Sequence, residues 1–292
     1  MFQKILVPLD GSQTAEKALP FAEHLARKFG SDVTLFTALE EGDRFEYPFR
    51  SYLDKKSEEL GIEWVKSNTA VVRDSASNAI LQFAEENDIG LIIICTHGTS
   101  GPGIWTVGSI AAKVMQQSPI PVLLIRAVAS GELVADRTFR SILVPLDGSP
   151  LAESVMPYVE QLATAFESRV FPIQVVQPLI TPPIPVASYA AGVALKDHED
   201  DLAQVMMAKA GEYINARETS LHDKGVNATS SVLVGKPYET ITQYAEANSI
   251  GLIAVTTHGH IGSKKIPYGS ITSKILESSS QPVLLIRPQL PP

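Results

Sequence analysis

Phosphate can be held by bare backbone when a flexible glycine lies near a helix start, and this chain carries such a spacing twice. CTHGTSGPGIWTVGS runs from Cys95 to Ser109 and TTHGHIGSKKIPYGS from Thr256 to Ser270. Both hold Thr-His-Gly, nine further residues, then Gly-Ser, with little in common between the fixed points. Glycine admits positive φ and lets a ligand come close to the main chain. A helix N-terminus adds unpaired N–H groups and a partial positive charge, and the two together seat an anion. Gly98, Gly108 and Ser109 therefore form one candidate phosphate seat, and Gly259, Gly269 and Ser270 a second, where Lys264 or Lys265 adds a cation. Plainer roles compete with this one. Gly98 also suits an ordinary turn, and Ser109 a helix cap. A packing constraint would preserve the same spacing.

Other chemistry fits less well. The chain has no G-x-x-x-x-G-K-[ST] and no G-x-G-x-x-G after its first strand, so neither a P-loop nor a dinucleotide fingerprint is present. His258-Gly-His-Ile-Gly262 has the wrong spacing and position for a nucleotidyl-transferase signature. His198-Glu-Asp-Asp201 reads as an acidic helical turn, and six histidines without H-E-x-x-H predict no metal ligand set. Trp105 and Tyr268 read as loop anchors.

The elements that must position these residues are themselves duplicated. ILVPLDGS occurs at Ile5–Ser12 and again at Ile142–Ser149, an offset of 137. An apolar helical stripe follows each copy: Ala15, Ala18, Leu19, Ala22, Leu25, Ala26 and Phe29, then the matching Ala152 to Phe166. Near each end, PVLLIR recurs at Pro121–Arg126 and Pro282–Arg287, an offset of 161. The second copy therefore carries 24 extra residues, opening with a proline-rich insert around 177–198. Strands are expected at Lys4–Leu9, Asp32–Leu39, Thr69–Val72, Leu91–Thr96 and Val122–Ile125, with helices near Thr14–Phe29, Arg50–Asn68, Ser77–Asn87 and Ser109–Gln117. Alternating strand and helix, with continuous apolar strands, predicts α/β architecture: two tandem three-layer α/β/α domains, each with a five-stranded parallel doubly wound sheet. The boundaries fall at 1–127 and 139–292, with a polar join between.

In such sheets ligands sit beyond the carboxyl ends of the strands. Both ILVPLDGS copies and both Thr-His-Gly stretches end strands. Asp10 and Asp147 either bond a ligand's base or ribose or order the Asp-Gly-Ser turn; the residues leave both open. Ser12 and Ser149 read as N-caps, with Pro150 at the first helical position.

A net charge of −8 disfavours a general nucleic-acid or membrane-surface binder. The single cysteine, Cys95, excludes an intrachain disulfide and fits a reducing compartment. MFQKILVPLD lacks a signal peptide's apolar region and no run approaches the ~20 residues of a membrane span. A cytoplasmic protein is expected.

With ILVPLDGS at its start, Gly-x9-Gly-Ser near the end of each copy and a closing PVLLIR, the chain resembles a tandem member of the universal stress protein family. That resemblance covers nearly the whole length and implies the adenine nucleotide α-hydrolase-like fold. It implies ATP or another adenine nucleotide as ligand, with Mg2+, in a regulatory stress-response module. Asp10 and Asp147 would then meet the nucleoside, and Ala38 and Val175 the adenine through their backbone. The family's Val-Gly-x-Pro matches Val234–Pro237, bringing in Gly235, and has become Val72–Ser75 in the first copy. The first glycine of the family's Gly-x2-Gly-x9-Gly-Ser is replaced by Cys95 and Thr256, and Pro102 removes a donor from the first loop. Copy two, with its lysines, is the better predicted site. No positioned general base appears, so at most slow hydrolysis is expected. A nucleotide-free interaction scaffold of the same fold is the alternative. The family's dimer contact uses the last strand, so Val122–Ile125 and Val283–Ile286 are expected to pair within one chain, leaving room for two chains to associate.

Overall fold

The computed structural model describes residues 1–40, 46–61, 65–96, 107–126, 135–178, 189–257 and 268–288. Copy one runs β1 (Lys4–Pro8), α1 (Gln13–Glu16), α2 (Leu19–Phe29), β2 (Asp32–Leu39), α3 (Tyr47–Gly61), β3 (Ser67–Arg73), α4 (Ala76–Glu86), β4 (Leu91–Cys95), α5 (Ser109–Gln117) and β5 (Val122–Ile125). A one-turn helix, α6 (Ala135–Thr138), leads into copy two: β6 (Ser141–Pro145), α7 (Pro150–Glu153), α8 (Met156–Phe166), β7 (Arg169–Val176), α9 (Tyr189–Asp223), β8 (Asn227–Ala228), β9 (Ser231–Val234), α10 (Pro237–Ala247), β10 (Leu252–Thr256), α11 (Ser270–Ser278) and β11 (Val283–Ile286).

All eleven strands form one sheet in the order β3-β2-β1-β4-β5-β11-β10-β6-β7-β8, with β9 also on β7. Every pair is parallel except β5 with β11, where Leu123 faces Leu284. The expected intrachain pairing of the last strands is thus present. The central strands are buried on both faces, which explains their unbroken apolar runs.

Three boundaries differ from the sequence expectation. The first helix splits because Pro20 has no N–H to offer the carbonyl of Glu16, where α1 stops; Pro157 does the same for Glu153 at the end of α7. The second helix ends at Gly61, and Ser67 and Asn68 belong to β3, paired with Val33 and Thr34 of β2. In copy two the third strand is interrupted at Thr229–Ser230, where Glu218 of α9 accepts from the Ser230 amide at 2.8 Å and from its hydroxyl.

Two cores flank the sheet, and both run through both copies. One packs α2, α3 and α8 against the sheet, with Ile5, Leu35, Leu162 and Ile214; the other packs α4, α5, α10 and α11, with Ile80, Val114, Ile241 and Ile275. Arg126, just past β5, donates to the carbonyls of Ile275 (3.2 Å) and Leu276 at the end of α11; burial pushes its guanidinium down to about 10.

Aromatic rings join the halves on the α2–α8 face. Phe139 lies 4.7 Å from Phe166 and 6.4 Å from Phe21, and Phe2 lies 5.3 Å from Phe29 and 6.1 Å from Tyr158. His24 stacks on Phe166 at 4.9 Å and reaches Asp136 at 3.0 Å. Burial lowers its pKa below 6.5, against the opposing pull of Asp136. The unfolded chain then takes up this proton before the folded one does. Stability should therefore decline as pH falls from 6.5 through the folded value, and be independent of this residue above 6.5. His24→Gln, the residue found at the equivalent position 161, should remove that step from urea midpoints measured against pH.

Candidate functional site

The two ILVPLDGS segments end in near-identical turns. The Asp10 carboxylate accepts from the Ser12 amide at 3.0 Å, and Asp147 accepts from the amide and hydroxyl of Ser149 at 2.9 and 2.6 Å. Gly11 and Gly148 between them stand at φ 82° and 83°, in glycine's left-handed territory. Ser12 and Ser149 then cap α1 and α7 through the Ala15 and Ala152 amides, both at 3.1 Å. Both aspartates therefore order the turn, and both stand at the carboxyl ends of β1 and β6.

Beyond β1, β2 and β4 of copy one opens a crevice of about 120 Å³. Asp10, Ala38, Gly108 and Ser109 all line it, brought together from the end of β1, the end of β2 and the start of α5. Phe36 and Ile80 give it an apolar floor and wall. Gly98 lies outside the described residues. Gly108 is the N-cap of α5 and, as a glycine, brings no capping side chain of its own; Gly108 and Ser109 line the crevice, so the partial positive charge of that helix end lies against it. The Gly108 amide itself turns back to Thr96 O, and Gly269 to Thr257 O at 2.8 Å. Cys95, at the position of the missing first glycine, is buried with its thiol directed to Ala15 O at 3.7 Å, and burial pushes that thiol up to about 12.

In copy two Asp147, Val175, Gly269 and Ser270 take the equivalent places on β6, β7 and α11. Gly259 and Lys264 lie outside the described residues. Thr256, the counterpart of Cys95, accepts through its carbonyl from the buried Thr272 hydroxyl at 2.9 Å, pinning the first turn of α11 to the end of β10. Gly235 has a local explanation: φ is 155° and an added Cβ would lie 2.4 Å from Thr240 Oγ1. It shapes the turn between β9 and α10, with Pro237 at the helix start.

A feature the sequence reasoning missed sits behind each turn. Glu16 accepts from the Tyr52 hydroxyl at 2.9 Å and pairs with Lys56 at 3.0 Å, tying α1 to α3. In copy two Glu153 pairs with Arg217 at 3.1 Å, and Arg217 lies 5.6 Å over the Tyr213 ring, tying α7 to α9. Tyr-x3-Lys and Tyr-x3-Arg recur at the same offset of 161, which was the available signal. Among the described residues no cluster of three His, Cys, Asp or Glu is arranged to hold a metal ion, and no helix is long and apolar enough to cross a membrane.

The sequence model of the Universal stress protein family matches residues 1–126 and 138–287. The chain belongs to that family. Universal stress protein Slr1230 of Synechocystis sp. is 23% identical over 323 residues, covering 98% of this chain and all of that protein. Universal stress protein MJ0577 of Methanocaldococcus jannaschii is 26% identical over 154 residues, spanning 51% of this chain and 95% of its own length. A crystal structure of a universal stress protein from Archaeoglobus fulgidus superposes with a TM-score of 0.67 at 16% identity, over 98% of this chain and 99% of that one. The tandem arrangement thus recurs in a solved universal stress protein fold.

Proposed function

We propose that this universal stress protein binds an adenine nucleotide, ATP with Mg2+, as a regulatory module of the cytoplasm, one site to each of the units 1–127 and 139–292. The crevice of copy one carries the reading: Asp10, Ala38, Gly108 and Ser109 converge there at the start of α5. An apolar floor below Ala38 suits a flat base, the Asp10 turn a ribose, and the first turn of α5 a phosphate. Anion stabilisation at a helix start is worth ~0.3–1 kcal/mol, up to ~2 when partly buried, whereas micromolar binding needs about 8 kcal/mol. Base, ribose and phosphate contacts must therefore act together. Calorimetric titration with ATP should give saturable heat, and adenosine weaker heat that lacks the phosphate share. No heat with ATP would sink the reading.

The scaffold alternative has one observation in its favour. The Gly108 and Gly269 amides are occupied by strand-end carbonyls, leaving only the later first-turn amides for a phosphate. In this reading the site binds ATP and turns it over slowly at most. With β5 and β11 paired internally, association of two chains would use another surface.

A further inference from the structure

The trio behind each turn is more than two helix ties. The same kinds of residue recur at Glu16, Tyr52 and Lys56 and at Glu153, Tyr213 and Arg217, on elements that otherwise differ greatly: α3 has 15 residues and α9 has 35. In copy two Arg217 alone holds Glu153, and the buried Tyr213 hydroxyl has no hydrogen-bond partner among the described residues. The helices that carry Glu16 and Glu153 are only four residues long. Each is cut off from the following helix by the proline that leaves Glu16 or Glu153 at its end. A single turn of helix has no stability of its own. Something else must hold it, and with it the Asp-Gly-Ser turn whose serine caps it.

In copy one the holding group is visible in full. Both oxygens of Glu16 are engaged, one by the Tyr52 hydroxyl and the other by Lys56. Lys56 is anchored further by Glu59 at 3.1 Å. Ala15, the neighbour of Glu16, lines the crevice and is the residue whose amide Ser12 caps. Asp10 is close enough to raise the Tyr52 hydroxyl's pKa, after burial and Glu16, and Asp147 acts on Tyr213 in the same sense.

Resting on the nucleotide reading, we propose that Tyr52 with Glu16 and Lys56, and Arg217 with Glu153 and the Tyr213 ring beneath the guanidinium, are the positioning residues of the two sites: they clamp the one-turn helix and so fix Asp10 and Asp147 where a nucleoside meets them. They touch no ligand themselves. The positive member also neutralises a glutamate standing one residue from the crevice wall.

The test is calorimetry with ATP on the full chain, with thermal melting and amide exchange alongside. Tyr52→Phe removes one hydrogen bond to a carboxylate and should weaken the copy-one site about tenfold, with the melting point lowered by no more than about 4 °C. Lys56→Met should do likewise, and Lys56→Arg, which installs the copy-two residue, should retain affinity. Tyr52→Phe combined with Asp10→Asn should lose no more than the worse single variant, because both act through one group. Without ligand, the Ala15 amide should exchange faster in Tyr52→Phe than in wild type. Wild-type affinity in Tyr52→Phe and Lys56→Met overturns the proposal alone, as do losses that simply add to that of Asp10→Asn. No heat from the wild type overturns the nucleotide reading and this proposal with it.

Discussion

Phe139→Ala should cost about 3–5 kcal/mol and lower the melting temperature by about 10 °C, in a single transition. The ring is 1% exposed and stands at the seam between the copies. It stacks on Phe166 and His24 and meets Phe21 edge-on, so truncation opens a cavity shared by α2, α8 and the start of β6. Phe139 is the counterpart of Phe2 at the offset of 137, and Phe2 packs on Phe29 of its own copy and on Tyr158 of the other. Each copy thus lends its entry phenylalanine to a cluster that neither half completes alone. The same sharing holds across both cores and along the β5–β11 seam. Damage at one point should therefore be felt by the whole chain, which is the meaning of one cooperative unit. Circular dichroism melting, followed at both far- and near-ultraviolet wavelengths, checks this. Two separated transitions, or a shift under about 2 °C, would contradict it.

Much of this was legible in the residues because duplication supplied two readings of each element. The ILVPLDGS and PVLLIR pairs located four strands, and alternating β and α predicted a parallel, doubly wound sheet with right-handed crossovers; the strand order came only with the structure. The crevice was partly legible for the same reason: a strand-end Asp and a helix-opening Gly-Ser are local signals, whereas Ala38 entered only through the family resemblance, and the fold brings Asp10, Ala38 and Gly108 together. One miss has a local cause and the others non-local ones. The break after Glu16 is set by Pro20, but the apolar stripe runs on through Ala18 and Leu19, so periodicity showed one helix. Asn68 looked helical because polar residues precede it, whereas pairing with Thr34 across the sheet decides its state. The clamp residues Glu16 and Tyr52 are 36 positions apart. Nothing in either neighbourhood signals the other; only comparison at two different offsets, 137 for the glutamates and 161 for the tyrosines, would have exposed the trio.

Gly269→Val should abolish nucleotide binding in copy two while leaving the fold almost intact. The backbone at Gly269 has φ −61° and ψ 152°, extended geometry that any residue adopts. Among the described residues, a Cβ there would meet Thr257 O alone, at 3.8 Å, an ordinary contact. Valine is a poorer N-cap than glycine, but it also restricts the unfolded chain, and these opposing terms are each about 1 kcal/mol or less. The melting temperature should therefore move by only a few degrees. Gly235 makes the contrast, since its φ and the nearby Thr240 hydroxyl require glycine for folding alone. Gly108 has the same extended geometry as Gly269, φ −57° and ψ 152°. If the fold does not need glycine at these helix starts, the close approach of a ligand does. Valine's methyls would stand where a phosphate oxygen reaches the first-turn amides of α11. Losing two hydrogen bonds to a charged group, about 1.5–3 kcal/mol each, weakens binding at least a hundredfold. Gly108→Val should have the smaller effect, because copy one lacks the loop lysines of copy two. Titration of both variants with ATP beside their melting curves decides it: affinity retained in Gly269→Val, or stability lost with it, would show that glycine serves packing and not phosphate.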